Sequence, residues 1–333
     1  MTSSARPLRL GILGAADIAR RRFLPALQRC PAFEMAGIAS RSYERAAALC
    51  SQFGGHAYDS YHSLLDDPGI DAVYIPLPPA LHFDYALQAL KQHKHMLLEK
   101  PATVTLEQAR QLCTVAEESE LTLYENYMFL CHPQLERIKE IISAGRLGEL
   151  RLIRATFGFP RRASGDFRYQ KSLGGGALLD CGGYPLRLAL ELLGSQVQLT
   201  DATLVPDKSA QSPQEAVDLY GNAVMRSSSG LTAQVAFGMD NAYQCSLEIW
   251  GSRATLRASR IFTAPPELKI TLIIRDDKGE ELIEVPPADQ FLLSIERFAA
   301  AIGNPATNAE LRDTILQQST LVEICRQKAG YSL

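Results

Sequence analysis

Leu8-Arg9-Leu10-Gly11-Ile12-Leu13-Gly14-Ala15-Ala16-Asp17-Ile18-Ala19 is the stretch that decides the fold. It opens as a short apolar strand, stops on a glycine and continues as a helical run to about residue 29. Gly14, Ala16 and Ala19 keep the spacing of a G-x-G-x-x-G phosphate loop, with alanine at the second and third places. In such a loop the first glycine makes the tight turn. The second lets the backbone approach a pyrophosphate, and the third lets helix and strand pack closely. The start of the helix adds unpaired N–H groups and a positive dipole end. A degenerate fingerprint needs its context to mean anything.

The context is a regular alternation. Residues 33–39 read as a second strand that ends in Ser40-Arg41-Ser42. Enzymes that prefer NAD place a carboxylate at that point to hold the ribose 2′-hydroxyl. A hydroxyl and a guanidinium instead suit a 2′-phosphate, which predicts NADP (as NADPH); the plain alternative is that Arg41 only decorates a loop. Helices over 46–53, 81–93 and 106–119 alternate with strands over 71–75, 95–98 and 121–124. This pitch predicts a doubly wound parallel sheet in a Rossmann domain over 1–124. Ligands of such sheets bind beyond the carboxyl ends of the strands. Met96-Leu97-Leu98-Glu99-Lys100-Pro101 puts a lysine at one of those ends, where desolvation of its charge is costly. Pro101 closes the strand, and Lys100–Pro101 is a candidate cis peptide. A surface lysine after a strand is the alternative.

From residue 149 the rhythm changes. A strand over 150–157 is followed by a loop, 158–173, that carries Arg161, Arg162, Arg168 and Lys171. Gly174-Gly175-Gly176 then opens a helix to about residue 193, with Asp180 and Tyr184 four apart on one face. Tyr184 precedes a proline and follows two glycines, which predicts a local irregularity. Strands over 217–226, 231–239, 244–250, 254–256, 268–274 and 281–285 meet at hairpin signals, and helices over 291–302 and 309–327 close the chain. The expected second domain, 125–333, is α+β with a large, mostly antiparallel open sheet. An open face needs a cover, so a homodimer or homotetramer through it is expected.

Composition excludes several classes. The 333 residues carry a formal net charge of -3, which gives no footprint for nucleic acid. No apolar run has the length of a membrane span, and the start lacks a signal-peptide pattern. Seven scattered cysteines without a C-x-x-C pair read as buried thiols of a cytoplasmic protein, with no metal site.

The degenerate fingerprint, the Glu99-Lys100-Pro101 strand exit and the later Gly-Gly-Gly-x-Leu-x-Asp-x-Gly-x-Tyr together resemble the glucose–fructose oxidoreductase / inositol dehydrogenase / rhizopine-catabolism (Gfo/Idh/MocA) family. The likeness covers nearly the whole chain. Within it, Gly14-x-Ala16-Asp17-Ile18-Ala19, Ala39-Ser40-Arg41, Glu125-Asn126-x-Met128-Phe129-Leu130-x-His132-Pro133-Gln134 and Gly165-Asp166-x-Arg168-Tyr169-Gln170 are similar to NADP-dependent 3-ketoreductases of deoxysugar biosynthesis. Many members have histidine in the place of Tyr184.

The resemblance implies an NADPH-dependent oxidoreductase that transfers a hydride to a ring ketone of a sugar, on a substrate linked to thymidine diphosphate (dTDP). Lys100, Tyr184 and Asp180 are then the catalytic residues. Tyr184 is the expected proton donor, Lys100 the partner of the developing alkoxide and Asp180 the orienter, with the roles of Lys100 and Tyr184 open to exchange. The cofactor contacts implied are Gly11, Gly14, Ala16, Asp17, Ile18, Ser40, Arg41, Leu77, Pro78, His82, Glu99, Lys100, Asn126 and Arg168. Lys100, Arg161, Arg168, Asp180 and Tyr184 are expected at the substrate. The plain alternatives are a helix cap or ion pair for Asp180, a core position for Tyr184, an exposed loop position for Arg168 and a helix cap for His82. Two other functions stay open: a sugar or dihydrodiol dehydrogenase on free substrates, and a non-catalytic NADP-binding regulator.

Overall fold

The protein is described by a computed structural model that covers residues 6–331 except 164, 195, 211 and 213. It forms two compact units. The first comprises 6–128 with Phe291–Leu316, and the second comprises Phe129–Gln290 with 317–331.

The first unit is built on six parallel strands: β1 (Leu8–Leu13), β2 (Phe33–Ala39), β3 (His56–Tyr58), β4 (Ala72–Ile75), β5 (His95–Glu99) and β6 (Leu123–Asn126). Their order is β3-β2-β1-β4-β5-β6. Every residue of β4 is buried, as expected for a strand covered on both faces. The helices between strands start where sequence chemistry allows. Ser42 accepts from the Arg45 N–H at the head of Tyr43–Phe53, and Thr105 accepts from the Gln108 N–H at the head of Leu106–Glu118. The order reverses between β1 and β4, so their following loops part and leave a crevice at the carboxyl ends.

Against the expected division at 124/125, the chain returns to this unit late. Phe298, fully buried on the helix Gln290–Ala301, stacks on Phe33 at 5.5 Å and meets Tyr124 edge-on at 6.0 Å.

The second unit holds eight strands: β7 (Leu150–Gly158), β8 (Gln198–Pro206), β9 (Asp218–Arg226), β10 (Thr232–Gly238), β11 (Gln244–Gly251), β12 (Thr255–Ser259), β13 (Ile270–Asp276) and β14 (Gly279–Val285). The order is β14-β13-β12-β11-β7-β10-β9-β8. β7 and β10 pair in parallel, and the other pairings are antiparallel. The helix Gly183–Leu193 is buried from Gly183 to Leu190, and the one charge in that stretch, Arg187, is paired with Glu191 a turn later at 2.9 Å. The sheet also bears exposed Tyr220, Trp250 and Leu282 beside an Arg154–Glu248–Arg257 ion-pair row. Among the described residues no helix is long and apolar enough to cross a membrane, and no group of three His, Cys, Asp or Glu side chains is placed to hold a metal.

Candidate active site

In the first unit the expected cofactor residues collect at strand ends. Gly14 turns the chain after β1 with φ +123°, a conformation that side-chain-bearing residues avoid. A Cβ at this position would stand 3.0 Å from Leu77 Cδ2, so the turn passes directly under the loop that follows β4. The Gly14 N–H donates to Ala39 O at 2.8 Å and ties the turn to the end of β2. The helix then begins with a wide turn, in which the Leu24 N–H reaches Ala19 O five residues back. Such insertions recur at functional sites. Asp17 is exposed and pairs with Arg20 at 3.0 Å and Arg21 at 2.6 Å, while Ile18 is partly buried.

At the β2 exit Ser40 is buried and Arg41 exposed. Sequence reasoning missed Arg45, whose guanidinium donates to Ala15 O at 2.7 Å. It lines a cleft of about 260 Å³ with Ala15, Ala16, Asp17 and Arg20. A glycine turn without room for a side chain and a β2 exit of Ser and Arg fit a dinucleotide with a 2′-phosphate.

The β5 exit is held from both sides. Glu99 Oε1 accepts from Tyr74 Oη at 2.8 Å and from Asn126 Nδ2 at 2.7 Å. Ser294 Oγ donates to Asn126 Oδ1 at 2.7 Å. One network thus crosses the ends of β4, β5 and β6. Burial pushes the Glu99 carboxyl above its usual range, against the pull of Tyr74, the Lys100 charge and Asn126. Lys100 follows, partly buried, and Lys100–Pro101 is cis. Beyond it the Ala102 N–H donates to Glu125 Oε1 at 2.7 Å. The fully buried His82 has Nδ1 2.8 Å from Pro101 O and Nε2 2.7 Å from Leu77 O. Burial holds its pKa down to about 4, helped by the Lys100 charge and opposed by the two carbonyls. The neutral ring carries one N–H, so His82 donates to one of these carbonyls and packs against the other, filling the space between the Leu77-Pro78 loop and the Lys100-Pro101 turn.

Three of the expected cofactor contacts also have partners within the fold. Gly11 lies inside β1, where a Cβ would come within 2.7 Å of Leu64 Cδ2, so its smallness serves packing. His82 and Asn126 are 0% and 1% exposed, with their polar atoms against protein partners.

The second unit carries the other motif. Gly174-Gly175-Gly176 lets the 166–173 loop sit on the start of the following helix: Gly175 N–H donates to Gln170 O at 3.0 Å and Gly176 N–H to Arg168 O at 2.9 Å. A Cβ on Gly175 would meet Arg168 O at 2.4 Å. The predicted irregularity is present: Leu178–Gly182 forms a wide turn, with the Gly183 N–H on Leu178 O, before the helix resumes. Arg168 Nε donates to Asp180 Oδ2 at 2.6 Å, and its Nη1 lies 3.2 Å from Asp166. Burial works against the Arg168 charge, but the two carboxylates outweigh it and raise its pKa. The ion-pair alternative for Asp180 is thus realised. Tyr184, 5% exposed, packs against Phe157 at 5.0 Å, Phe262 at 5.7 Å and Phe129 at 5.8 Å. Arg161 is engaged by Asp207 at 3.0 Å and Asp240 at 3.1 Å, so its charge is balanced within the fold. Arg162 stays exposed and stacks on Phe159 at 4.9 Å.

Comparison with known proteins agrees with this layout. Residues 8–127 match the oxidoreductase family with an NAD-binding Rossmann fold, GFO/IDH/MocA, and residues 135–257 match the GFO/IDH/MocA C-terminal domain. The chain is 40% identical to a dTDP-3,4-didehydro-2,6-dideoxy-alpha-D-glucose 3-reductase from Actinomadura kijaniata, over 98% of this chain and 97% of that one. It is 39% identical to the reductase of that name from Streptomyces violaceoruber, with the same coverage. The crystal structure of a 3-ketoreductase from Actinomadura kijaniata in complex with NADP and TDP-benzene superposes with a TM-score of 0.92, at 40% identity over 97% of this chain and 98% of that one. With a parallel sheet whose strand ends bear the Gly14 turn and Lys100, and a second unit whose glycine-opened helix bears Asp180 and Tyr184, the chain belongs to the GFO/IDH/MocA family of oxidoreductases.

Proposed function

We propose that the chain is an NADPH-dependent reductase of the C-3 ring ketone of a dTDP-linked deoxysugar. The observation that carries the reading is the grouping, at the ends of one parallel sheet, of the Gly14 turn, the Ser40-Arg41 pair and Glu99-Lys100-Pro101. Near-full-length likeness to dTDP-sugar 3-reductases supports the choice of cofactor and substrate. Residues 1–124 are assigned to the cofactor and 125–333, apart from the segments 125–128 and Phe291–Leu316 that belong to the first unit, to the sugar and to assembly.

NADPH, when bound, supplies the hydride. The Gly14, Ala16, Asp17 and Ile18 backbone receives the pyrophosphate side, and Ser40 and Arg41 receive the 2′-phosphate. Reduction leaves negative charge on the ketone oxygen, which must gain one proton to give the alcohol. In our assignment the Tyr184 hydroxyl donates that proton, the Lys100 ammonium stabilises the oxyanion, and Asp180 orients Tyr184 through the backbone they share. Phenol and ammonium have similar ordinary pKa values, about 10 and about 10.4, so a modest change in surroundings sets which one gives the proton. The 158–173 loop is assigned to the nucleotide handle, with the exposed Arg162 and the half-buried Phe159 beneath it as its cation and ring. Arg161 and Arg168 act there only through the carboxylates that hold them. A homodimer or homotetramer is assigned to the sheet face that bears Tyr220 and Trp250, in a reducing cytoplasm that keeps the seven free thiols reduced.

The test is NADPH fluorescence during a screen of keto-sugars, free and dTDP-linked. Oxidation of NADPH with the linked 3-ketosugars alone is expected. Turnover of free sugars with NADP+ would replace the reading by a dehydrogenase, and cofactor binding without turnover of any sugar would make the chain a regulator.

A further inference from the structure

We infer that Asp218, at the first position of β9, is the positioning residue for Asp180 and Tyr184: its carboxylate anchors the start of the helical segment that carries both. What this says about turnover rests on the reductase reading; what it says about the helix does not. A helix start leaves its first N–H groups without intrahelical partners, and a side chain just before the helix usually accepts one of them. Here Ala177 stands at that place and has no side-chain acceptor. The acceptor comes instead from a strand 40 residues further along: Leu178 N–H donates to Asp218 Oδ2 at 2.6 Å.

The glycine triplet shows how closely the carboxylate is seated. Gly176 has φ +117°, and a Cβ on it would stand 2.3 Å from Asp218 Oδ1. The third glycine is thus demanded by Asp218 as well as by its own backbone. From there the path to Asp180 is short, because Asp180 N–H donates to Gly176 O at 3.0 Å. Asp218 is 5% exposed. The groups that face it are the Leu178 and Ala177 amides, Arg326, Cys325 and Tyr331. Cys325 and Tyr331 are both pushed up to about 12 by burial and stay neutral, which leaves Arg326 as the charge. Burial raises Asp218 itself to about 6, against the Leu178 amide and Arg326. Its proton therefore arrives just below neutrality, and the anchor weakens as it does.

The experiment uses the full chain with Asp218→Asn and reads two quantities. The first is amide hydrogen exchange over 176–184. The second is NADPH oxidation with a dTDP-linked 3-ketosugar. Exchange should quicken over 176–184 while 8–13 and 95–99 keep their protection. The kcat should fall by about 10- to 100-fold, the scale of a misplaced reacting group, with KM for NADPH unchanged. The wild-type kcat should fall below about pH 6, and the variant should lack that limb. Unchanged exchange, an unchanged kcat, or protection lost evenly over 129–290 would each overturn the inference. If the variant does not fold, the wild type decides. Its 176–184 amides, corrected for intrinsic rate, should lose protection between about pH 7.5 and about pH 5.5 relative to the rest of the unit, and a uniform change would overturn the anchor. If the wild type reduces no sugar, the functional reading fails and the exchange result alone still judges Asp218.

Discussion

Glu99 and Asp180 stand beside the residues assigned to catalysis, one in each unit, and the protein holds them in opposite ways. Glu99 is met by the neutral donors Tyr74 and Asn126, carried on the strands either side of its own. Asp180 is met by the guanidinium of Arg168, carried on a loop that closes over its helix. The first arrangement does not require a charge and is fixed by the sheet. The second requires both charges, because a buried ion pair that loses one partner leaves the other uncompensated. The sheet unit thus presents Lys100 on a rigid, charge-tolerant base, whereas the second unit presents Tyr184 on a base that depends on a loop staying closed.

The largest effects should come from the groups these bases carry. Lys100→Met should lower kcat by about 10³-fold, the scale of losing one donor to a developing oxyanion, while NADPH affinity measured by fluorescence changes little. Tyr184→Phe keeps the ring in its aromatic cluster, so the melting temperature should hold while kcat falls by about 10²-fold. If the lysine is the proton donor, the order of the two losses reverses.

Arg168→Met tests the charge-dependent base. Removing one partner of a mostly buried pair should cost about 3 kcal/mol in a urea titration, and Asp180→Asn added to it should recover part of that loss. Additive losses would mean that the pair is not the link between loop and helix.

What the sequence made legible follows the same division. β4 is apolar throughout and β1, β2 and β5 are apolar over most of their length, and their exits carry residues with a stated chemical use, so both the sheet and Ser40, Arg41 and Lys100 could be read directly. β3 escaped because three residues, none of them buried, give no period to detect. β8 escaped because register shifts at Leu199/Asp201 and Val205/Pro206 break its alternation. The close packing of Gly11 was not legible either, because the space a side chain would need is taken by Leu64 from a helix far along the chain. Asp218 and Arg45 share that character: each acts on backbone about 30 to 40 residues away, so no local pattern marks them. The one available signal for Asp218 was an acid at the first position of an alternating strand, together with a glycine triplet that something must approach closely.

Glu99→Gln gives the smallest effect and probes the charge-tolerant base most directly. Glutamine keeps an acceptor for Tyr74 and Asn126, so stability near neutrality should change by less than about 1 kcal/mol. The pH dependence carries the information. The folded-state pKa of Glu99 is raised by burial, so its contribution to stability is fully present below the unfolded value of about 4.3 and is lost as pH rises through the folded value. Glutamine resembles the protonated acid at every pH. The variant should therefore match the wild type in acid and gain on it as pH rises, a trend that melting curves across the range would show. A variant that instead falls behind at neutral pH would mean that the network needs the carboxylate's charge, and the contrast with Asp180 would close.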